Sequence, residues 1–164
     1  MSDEISVKVK WSLDGIREIF PALVKGAQKS LGWPILQAVK KEISQGKSPV
    51  EGEGRLRGYS PSYSNQIKVS LGRLGKRVRP VNLYLTGKLM ASGYVKPVTD
   101  GVAIGFSDKK AVYHDRDGAG KSKVLRRMLP TRKGEIFSRT IMAAARKLLV
   151  MDVIRKAIVR TKKA

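Results

Sequence analysis

The sequence predicts an α+β fold in which a small twisted antiparallel sheet is packed by N-terminal helices and a long C-terminal helix, with an extended basic arm. Three observations favour this class: an alternating segment near the start, a hairpin signal in the middle, and apolar residues at helical spacing towards both ends. The chain of 164 residues, 41% of them apolar, is long enough for one domain, residues 1–164, with one modest core.

Two segments carry strand signals. In EISVKVKWS, the apolar residues Ile5, Val7 and Val9 alternate with polar residues, which is typical of a half-buried strand. In GYVKPVTDGVAIGF, Asp100-Gly101 lies between two apolar runs, and this dipeptide strongly favours the tight turn of a hairpin. The predicted sheet therefore contains a strand near the N-terminus and a central hairpin.

Apolar residues at spacings of three and four predict three main helices. The first runs from Leu13 to Ala27, with Gly32 as the glycine that follows its C-terminus. The second begins at Pro34 and is closed by Gly46. The last covers residues 135–160, and its apolar stripe consists of Phe137, Ile141, Ala144, Leu148, Met151, Ile154 and Ile158.

Three shorter helical segments are also expected. Ser60 and Pro61 are suited to cap and to begin a short helix in SPSYSNQIKVSL. LYLTGKLMASG is predicted to contain a strand end, followed by a helical turn through Leu89 and Met90. Ser107 is expected to cap a short helix in SDKKAVYHDR.

Residues 46–82 differ in composition from the rest of the chain, since Gly, Ser, Pro, Tyr and Arg dominate there. A connection of this length within a compact domain is usually functional, or it is disordered until a partner binds. We therefore expect an extended basic arm that becomes ordered on a partner.

The charge balance is extreme for one small domain. The 34 Lys and Arg residues exceed the 13 Asp and Glu residues, which gives a formal net charge of +21. A charge of this size attracts polyanions, namely nucleic acid, an anionic membrane or an acidic protein face. From Lys121 onwards the chain has 14 basic and 2 acidic residues, so one end or one face is expected to meet the anionic partner.

Several classes of protein are not expected. The chain has no cysteine, which excludes disulfide frameworks, zinc–thiolate sites and thiol nucleophiles. The start, MSDEISVKVKWS, lacks the charged and apolar regions of a signal peptide. The densest apolar window, IMAAARKLLVMDVI, is interrupted by Arg146, Lys147 and Asp152, so we expect no membrane span.

AVYHDRDGAGKS, residues 111–122, contains the only histidine and is close in pattern to a phosphate-binding loop. Asp115 stands where the first glycine of such a loop belongs, and an aspartate there would repel a nucleotide. Read as a calcium loop, the segment places Tyr113 and Val124 at ligand positions. His114 has no second ligand or nucleophile beside it, and the carboxylates are scattered among basic residues. The sequence thus predicts no enzyme and no catalytic, metal or cofactor site.

The basic residues of the arm interleave with tyrosines, and three interpretations are open. The arm binds backbone phosphates while Tyr59 and Tyr63 stack on bases, or it is a solvated mobile loop, or it clamps an acidic protein surface. A second candidate patch lies near the proline turn before the last helix. The candidate partner-binding residues are Arg55, Arg57, Tyr59, Tyr63, Lys68, Arg73, Arg126, Arg127 and Arg132.

From Ser48 onwards, short segments follow one another in a recognisable order. A basic Gly/Tyr arm, GYSPSYSNQIK, is followed by PVNLYLTGKLMASG at residues 80–93 and by GVAIGF at residues 101–106. Then come Ala111, His114 and Gly118 in an A--H--G element with the glycine one place late, and a proline turn, LPTRKGEIFSRTI, into the last helix. In this order the chain resembles the neck and tail-completion proteins of tailed bacteriophages, of the minor tail or virion-morphogenesis type.

The resemblance implies a structural protein of the virion, assembled in the cytoplasm of the bacterial host. Such proteins form homo-oligomeric rings between the portal or connector and the tail tube or tail terminator, and they are not enzymes. The resemblance favours the acidic-partner interpretation of the arm, with possible non-specific contact to genomic DNA. It also implies that AVYHDRDGAGKS is a packed helical turn, in which Tyr113 and His114 support the sheet, followed by an exposed loop at a subunit boundary. The alternative function is a cytoplasmic nucleic-acid-binding protein of ribosomal type.

Overall fold

The computed structural model describes residues 4–9, 30–70, 78–83, 87–98, 101–119 and 123–161. These residues form a three-stranded antiparallel sheet and several helices, as the α+β prediction requires. In chain order the elements are β1 (Ile5–Val9), α1 (Gly32–Ser44), α2 (Pro61–Val69), α3 (Lys88–Ala91), β2 (Gly93–Val98), β3 (Gly101–Phe106), α4 (Lys109–Val112) and α5 (Arg139–Thr161). A π-helical turn, Tyr113–Asp117, continues α4.

The strand order is β1-β3-β2, so β3 is the central strand. Phe106 of β3 pairs with Ile5 on one side and with Gly93 on the other. The predicted N-terminal strand and the predicted hairpin are both confirmed. Val98 pairs with Gly101, which makes this glycine the first residue of β3, while the turn residues between the two strands lie outside the described part.

Helix α1 begins earlier than predicted, at Gly32, and Pro34 is its third residue. Ser30 is helical and Leu31 is a turn residue, so a helix does end beside Gly32 as expected, but Gly32 lacks the positive φ of a closing glycine and begins α1 instead. Gly32 is buried, and a Cβ atom there would overlap the side chain of Val95 in β2, so the glycine allows α1 to pack closely on the sheet. Gly46 follows the helix with φ of +75°, as the sequence predicts for its closing residue. The first predicted helix, Leu13 to Ala27, lies outside the described residues.

The core lies between the sheet, α1 and α5. Leu36 of α1, Ile104 of β3 and Ile141 of α5 are 0–1% exposed and belong to one cluster of packed apolar side chains. Leu56 and Val81, from the segment predicted as an arm, belong to the same cluster. Burial of such side chains is the main favourable contribution to folding, about 1.5–3 kcal/mol for each large aliphatic residue.

The extended form predicted for residues 46–82 is wrong for its described parts. Residues 46–56 form a compact loop whose two ends meet. The N–H of Leu56 donates to the carbonyl oxygen of Gly46 at 2.8 Å, and Lys47 pairs with Arg55. The buried side chain of Leu56 attaches this loop to the core. The short helix after it is confirmed: Ser60 caps α2 by accepting the N–H of Tyr63 at 3.4 Å, and a proline follows the cap.

Helix α5 begins at Arg139, four residues later than predicted. The chain before it is held in other contacts, because Phe137 forms a bridge with Val50 and the hydroxyl of Ser138 donates to the Glu42 carboxylate at 2.8 and 3.0 Å. The same hydroxyl accepts the N–H of Ile141 at 3.4 Å, which places Ser138 as the N-cap residue.

Among the described side chains, the predicted apolar stripe of the last helix is buried only at its start. Ile141 is buried and Ala145, rather than Ala144, is its buried neighbour on α5. Leu148 and Met151 are 44% and 60% exposed, so these two residues of the apolar stripe do not belong to the core. The side chains of Ile154 and Ile158 lie outside the described part.

The two shortest predicted helices are present with small changes. The helical turn through Leu89 and Met90 is α3, whereas the predicted strand end before it falls largely on residues outside the described part. The N-cap of α4 is Asp108 rather than Ser107, because the Asp108 carboxylate accepts the N–H of Lys110 at 2.9 Å.

Candidate partner-binding surface and a buried arginine network

Arg127 lies at the centre of a buried polar network beneath the turn that precedes α5. Its side chain is 2% exposed, and its Nη1 atom lies 3.3 Å from Oδ2 of the fully buried Asp115. Nη1 also donates to the carbonyl oxygen of Asp115 at 2.6 Å, and Nη2 donates to the Glu135 carboxylate. Burial of a guanidinium costs free energy, which paired carboxylates and hydrogen bonds offset. Both acidic residues therefore neutralise this arginine inside the protein.

Asp115 also fixes the chain segment that carries the arginine. Its Oδ1 atom accepts hydrogen bonds from the N–H groups of Met128 at 2.6 Å and Leu129 at 2.9 Å. Its Oδ2 atom accepts the hydroxyl of Thr131 at 2.9 Å. Hydrogen bonds to an ionised carboxylate are roughly twice as strong as neutral ones. One side chain thus connects the π-helical turn after α4 with the segment that leads to α5.

Arg126 forms a second internal cluster, with two tyrosines. Its guanidinium lies 4.8 Å from the centroid of the Tyr59 ring and donates to the carbonyl oxygens of Arg57 at 2.8 Å and Gly58 at 2.6 Å. The rings of Tyr59 and Tyr63 meet edge to face, with centroids 5.3 Å apart. Burial raises the pKa of Tyr59 to about 12, although the positive charge of Arg126 acts in the opposite direction.

The predicted second patch therefore does not exist as a surface. Arg126 and Arg127 are 4% and 2% exposed, so neither side chain is available to a partner, whereas Arg132 is exposed. The physical reason is local: carbonyl oxygens and an aromatic ring hold Arg126, and Asp115 and Glu135 neutralise Arg127. The prediction followed the excess of basic charge, which does not reveal where the few carboxylates lie.

The tyrosines of the arm are also partly internal. Arg126 covers one face of the Tyr59 ring, and Tyr63 packs against the same ring, so Tyr59 serves the fold in this structure. Both tyrosine side chains are intermediate in exposure. Stacking of Tyr59 on a nucleic-acid base would require Arg126 to leave its two carbonyl acceptors.

The other predicted residues of the arm face solvent. Arg55, Arg57 and Lys68 are exposed, and Arg73 lies outside the described residues. The sequence explains why these cations find few partners nearby, since no acidic residue occurs from Gly54 to Thr99. The basic residues of that stretch are Arg55, Arg57, Lys68, Arg73, Lys76, Arg77, Arg79, Lys88 and Lys96.

Residues 111–117 of the segment AVYHDRDGAGKS form a helical turn, as predicted, but Tyr113 does not support the sheet because it is 49% exposed. The carbonyl oxygen of His114 accepts the N–H of Arg126 at 2.7 Å. Gly118 has φ of +81°, and a Cβ atom there would overlap the backbone of Lys123, so glycine is required where the loop returns. The GKS ending lies outside the described residues.

Sequence reasoning missed the structural role of Asp115. It noted this aspartate only as the residue that breaks the phosphate-loop pattern. The available signal was a pair of acidic residues, Asp115 and Asp117, in a segment followed by two adjacent arginines and a proline turn. That signal shows that opposite charges are present, but not that Asp115 and Arg127 are in contact, because the two residues are separated by 12 positions along the chain.

Within the described residues, no three His, Asp or Glu side chains come together as a group that could hold a metal ion. Among the same residues, no helix is both long and apolar enough to cross a bilayer. No protein-family model, curated protein or solved structure matches the chain.

Proposed function

We propose that the chain is a structural virion protein that forms a homo-oligomeric ring at the head–tail junction of a tailed bacteriophage, as a neck, connector or tail-completion subunit. The observation that carries the proposal is that the segments with this resemblance are also segments that build the core. GVAIGF is the central strand β3, and Ala111 is fully buried. Gly118 closes the turn that holds Asp115. The resemblance therefore concerns the elements that form the scaffold of the protein. A structural subunit of a ring functions through such a scaffold.

The charge of the chain supports partners of opposite sign. Copies that each carry a formal charge of +21 repel one another, so a ring needs acidic faces of portal, connector or tail proteins, or DNA in its channel, to offset the repulsion. Arg55, Arg57 and Lys68 are exposed and available for such contacts.

Quantitative mass spectrometry of purified particles tests the proposal. Intact tailed-phage particles from the source are digested, and this chain is measured against the portal subunit with isotope-labelled peptides. A closed ring predicts a fixed ratio, about one-half or one copy per portal chain. Absence of the chain from particles in which portal and tail-tube proteins are both quantified would contradict the proposal.

Light scattering of the isolated protein gives a second test. We expect weak self-association at low salt, because like charges are least screened there, and stronger association as salt is added. Stable rings formed by the pure protein at low salt would show that no acidic partner is needed to offset the charge.

The second candidate function, a cytoplasmic nucleic-acid-binding protein of ribosomal type, is favoured by the exposed basic residues in a stretch without acidic ones. It requires a steep fall of affinity with salt, by several decades over a fewfold rise in salt if about six or more phosphates are contacted. The ring subunit requires only modest, non-specific affinity for DNA. A titration of duplex and structured RNA at several salt concentrations separates the two.

A further inference from the structure

An open groove lies between helix α2 and the turn at residues 78–81. Its volume is about 780 Å³. Lys68 on the helix and Arg79 on the turn are both exposed. Neither makes an ion pair with any residue that the structure describes. The lining residues are Pro61, Ser64, Asn65, Lys68, Val78 and Arg79.

The composition of the lining indicates the chemistry of a ligand. Lys68 and Arg79 supply positive charge, and Ser64 and Asn65 add neutral groups that donate hydrogen bonds. Pro61 and Val78 give a small apolar surface between the polar groups. Phosphate oxygens suit the cations and the donors, and a sugar suits the apolar surface.

The groove is less suited to an acidic protein segment. Tight protein interfaces depend on aromatic or arginine anchors that become fully buried in well-packed pockets. Among the described residues the lining contains no aromatic side chain, its arginine, Arg79, is exposed rather than buried, and the groove is open to solvent. An open, cationic surface is typical of contacts to a nucleic-acid backbone.

We propose that this groove binds the sugar–phosphate backbone of nucleic acid, with Lys68 and Arg79 contacting phosphates and without recognition of base sequence. The inference rests on the proposed function for the source of the ligand, which is then the genome in the channel of the ring. The site itself is defined by the described residues on α2 and on the turn.

Fluorescence anisotropy with a labelled 20-base-pair duplex tests the groove. The double variant K68Q/R79Q removes both cations, and K109Q/K110Q removes two exposed lysines from α4 as a charge-matched control. Each phosphate contact contributes about 0.9 to the slope of log affinity against log salt. We expect K68Q/R79Q to lower that slope by about 1.8, and the affinity at 0.1 M salt by several tens of fold. The control is expected to change the slope by less than about half as much.

Three results would overturn the inference. Equal losses in both double variants would mean that net charge, and not the groove, attracts DNA. A marked preference of the groove for one of several duplex sequences would contradict backbone recognition. Tighter binding of poly-glutamate than of DNA, lost in K68Q/R79Q alone, would assign the groove to an acidic protein. Because these measurements use the isolated protein, their failure is distinct from absence of the chain from virions, which contradicts the proposed function instead.

Discussion

Two groups of basic residues in this protein have opposite environments. Arg126 and Arg127 are enclosed, because carboxylates, carbonyl oxygens and an aromatic ring contact their guanidinium groups. Arg55 and Lys68 belong to a stretch without acidic residues and remain at the surface. The comparison teaches that the position of internal acceptors, carboxylates for Arg127 and carbonyl oxygens for Arg126, decides which cations are available to a partner more than the density of basic residues does.

The largest effect is expected when the carboxylate of the buried network is removed. Asp115→Ala leaves Arg127 without its fully buried carboxylate partner and leaves two N–H groups without an acceptor, so we expect a loss of about 3–5 kcal/mol in the free energy of unfolding. Urea denaturation followed by circular dichroism measures the loss.

A matched control lies two positions further along the chain. Asp117 pairs with Arg116 at 2.9 Å in an exposed ion pair, and Asp117→Ala is expected to cost less than about 1 kcal/mol. Where Asp115→Ala yields no folded protein, Asp115→Asn provides the measurement, since the amide oxygen keeps one acceptor and gives an intermediate loss. Equal effects of the changes at the two positions would contradict the distinction between enclosed and exposed arginines.

The next effect concerns the glycine that allows this turn to close. Gly118→Ala combines φ of +81° with overlap against the backbone of Lys123, so we expect about 2–4 kcal/mol of destabilisation. Gly134 has φ of +83° but open space around it, and its change to Ala is expected to cost about 1 kcal/mol from backbone strain alone. Similar losses at both positions in thermal unfolding would mean that the close approach at residue 118 is absent.

The comparison also shows what the sequence could predict. The strand at Ile5, the hairpin and the capped helix after Ser60 are specified by local patterns, because alternation and turn or cap residues act on their neighbours. The enclosure of Arg127 depends on a contact with Asp115, and no local pattern encodes a pairing across the fold. Likewise, residues 46–56 have loop-like composition, yet two buried apolar residues, Val50 and Leu56, are enough to attach the loop to the core.

A smaller effect on stability is expected at high pH, from Tyr59, whose ring packs against the enclosed Arg126. Burial raises the pKa of Tyr59 to about 12 from the value of 10.0 expected in the unfolded chain. The native state therefore retains this proton between about pH 10 and pH 12 while the unfolded state loses it, and stability falls as pH rises through this window. Because the ring is partly exposed, we expect a contribution of about 1 kcal/mol, less than the full shift corresponds to.

Tyr59→Phe isolates this contribution from the titration of the many lysines. The difference in unfolding free energy between the wild type and the variant is expected to be constant below about pH 10 and to decrease by about 1 kcal/mol towards pH 12. A constant difference across the whole range would mean that the hydroxyl is solvated in the native state, and that the cluster with Arg126 is looser than the structure describes.

The smallest expected effect is a gain in stability, whereas the changes above lower it. Arg55 and Arg57 have exposed side chains in a molecule with a net charge of +21, so each adds to self-repulsion in the folded state without a salt bridge in the described residues to offset it. We expect the double variant R55Q/R57Q to keep or raise stability by a few tenths of a kcal/mol at 20 mM salt. The gain is expected to vanish at 0.5 M salt, where the charges are screened. The carbonyl oxygen of Arg57 that accepts Arg126 is retained, because only side chains change. A loss above about 1 kcal/mol would place these two arginines with the enclosed group, and would mean that they have structural partners outside the described residues.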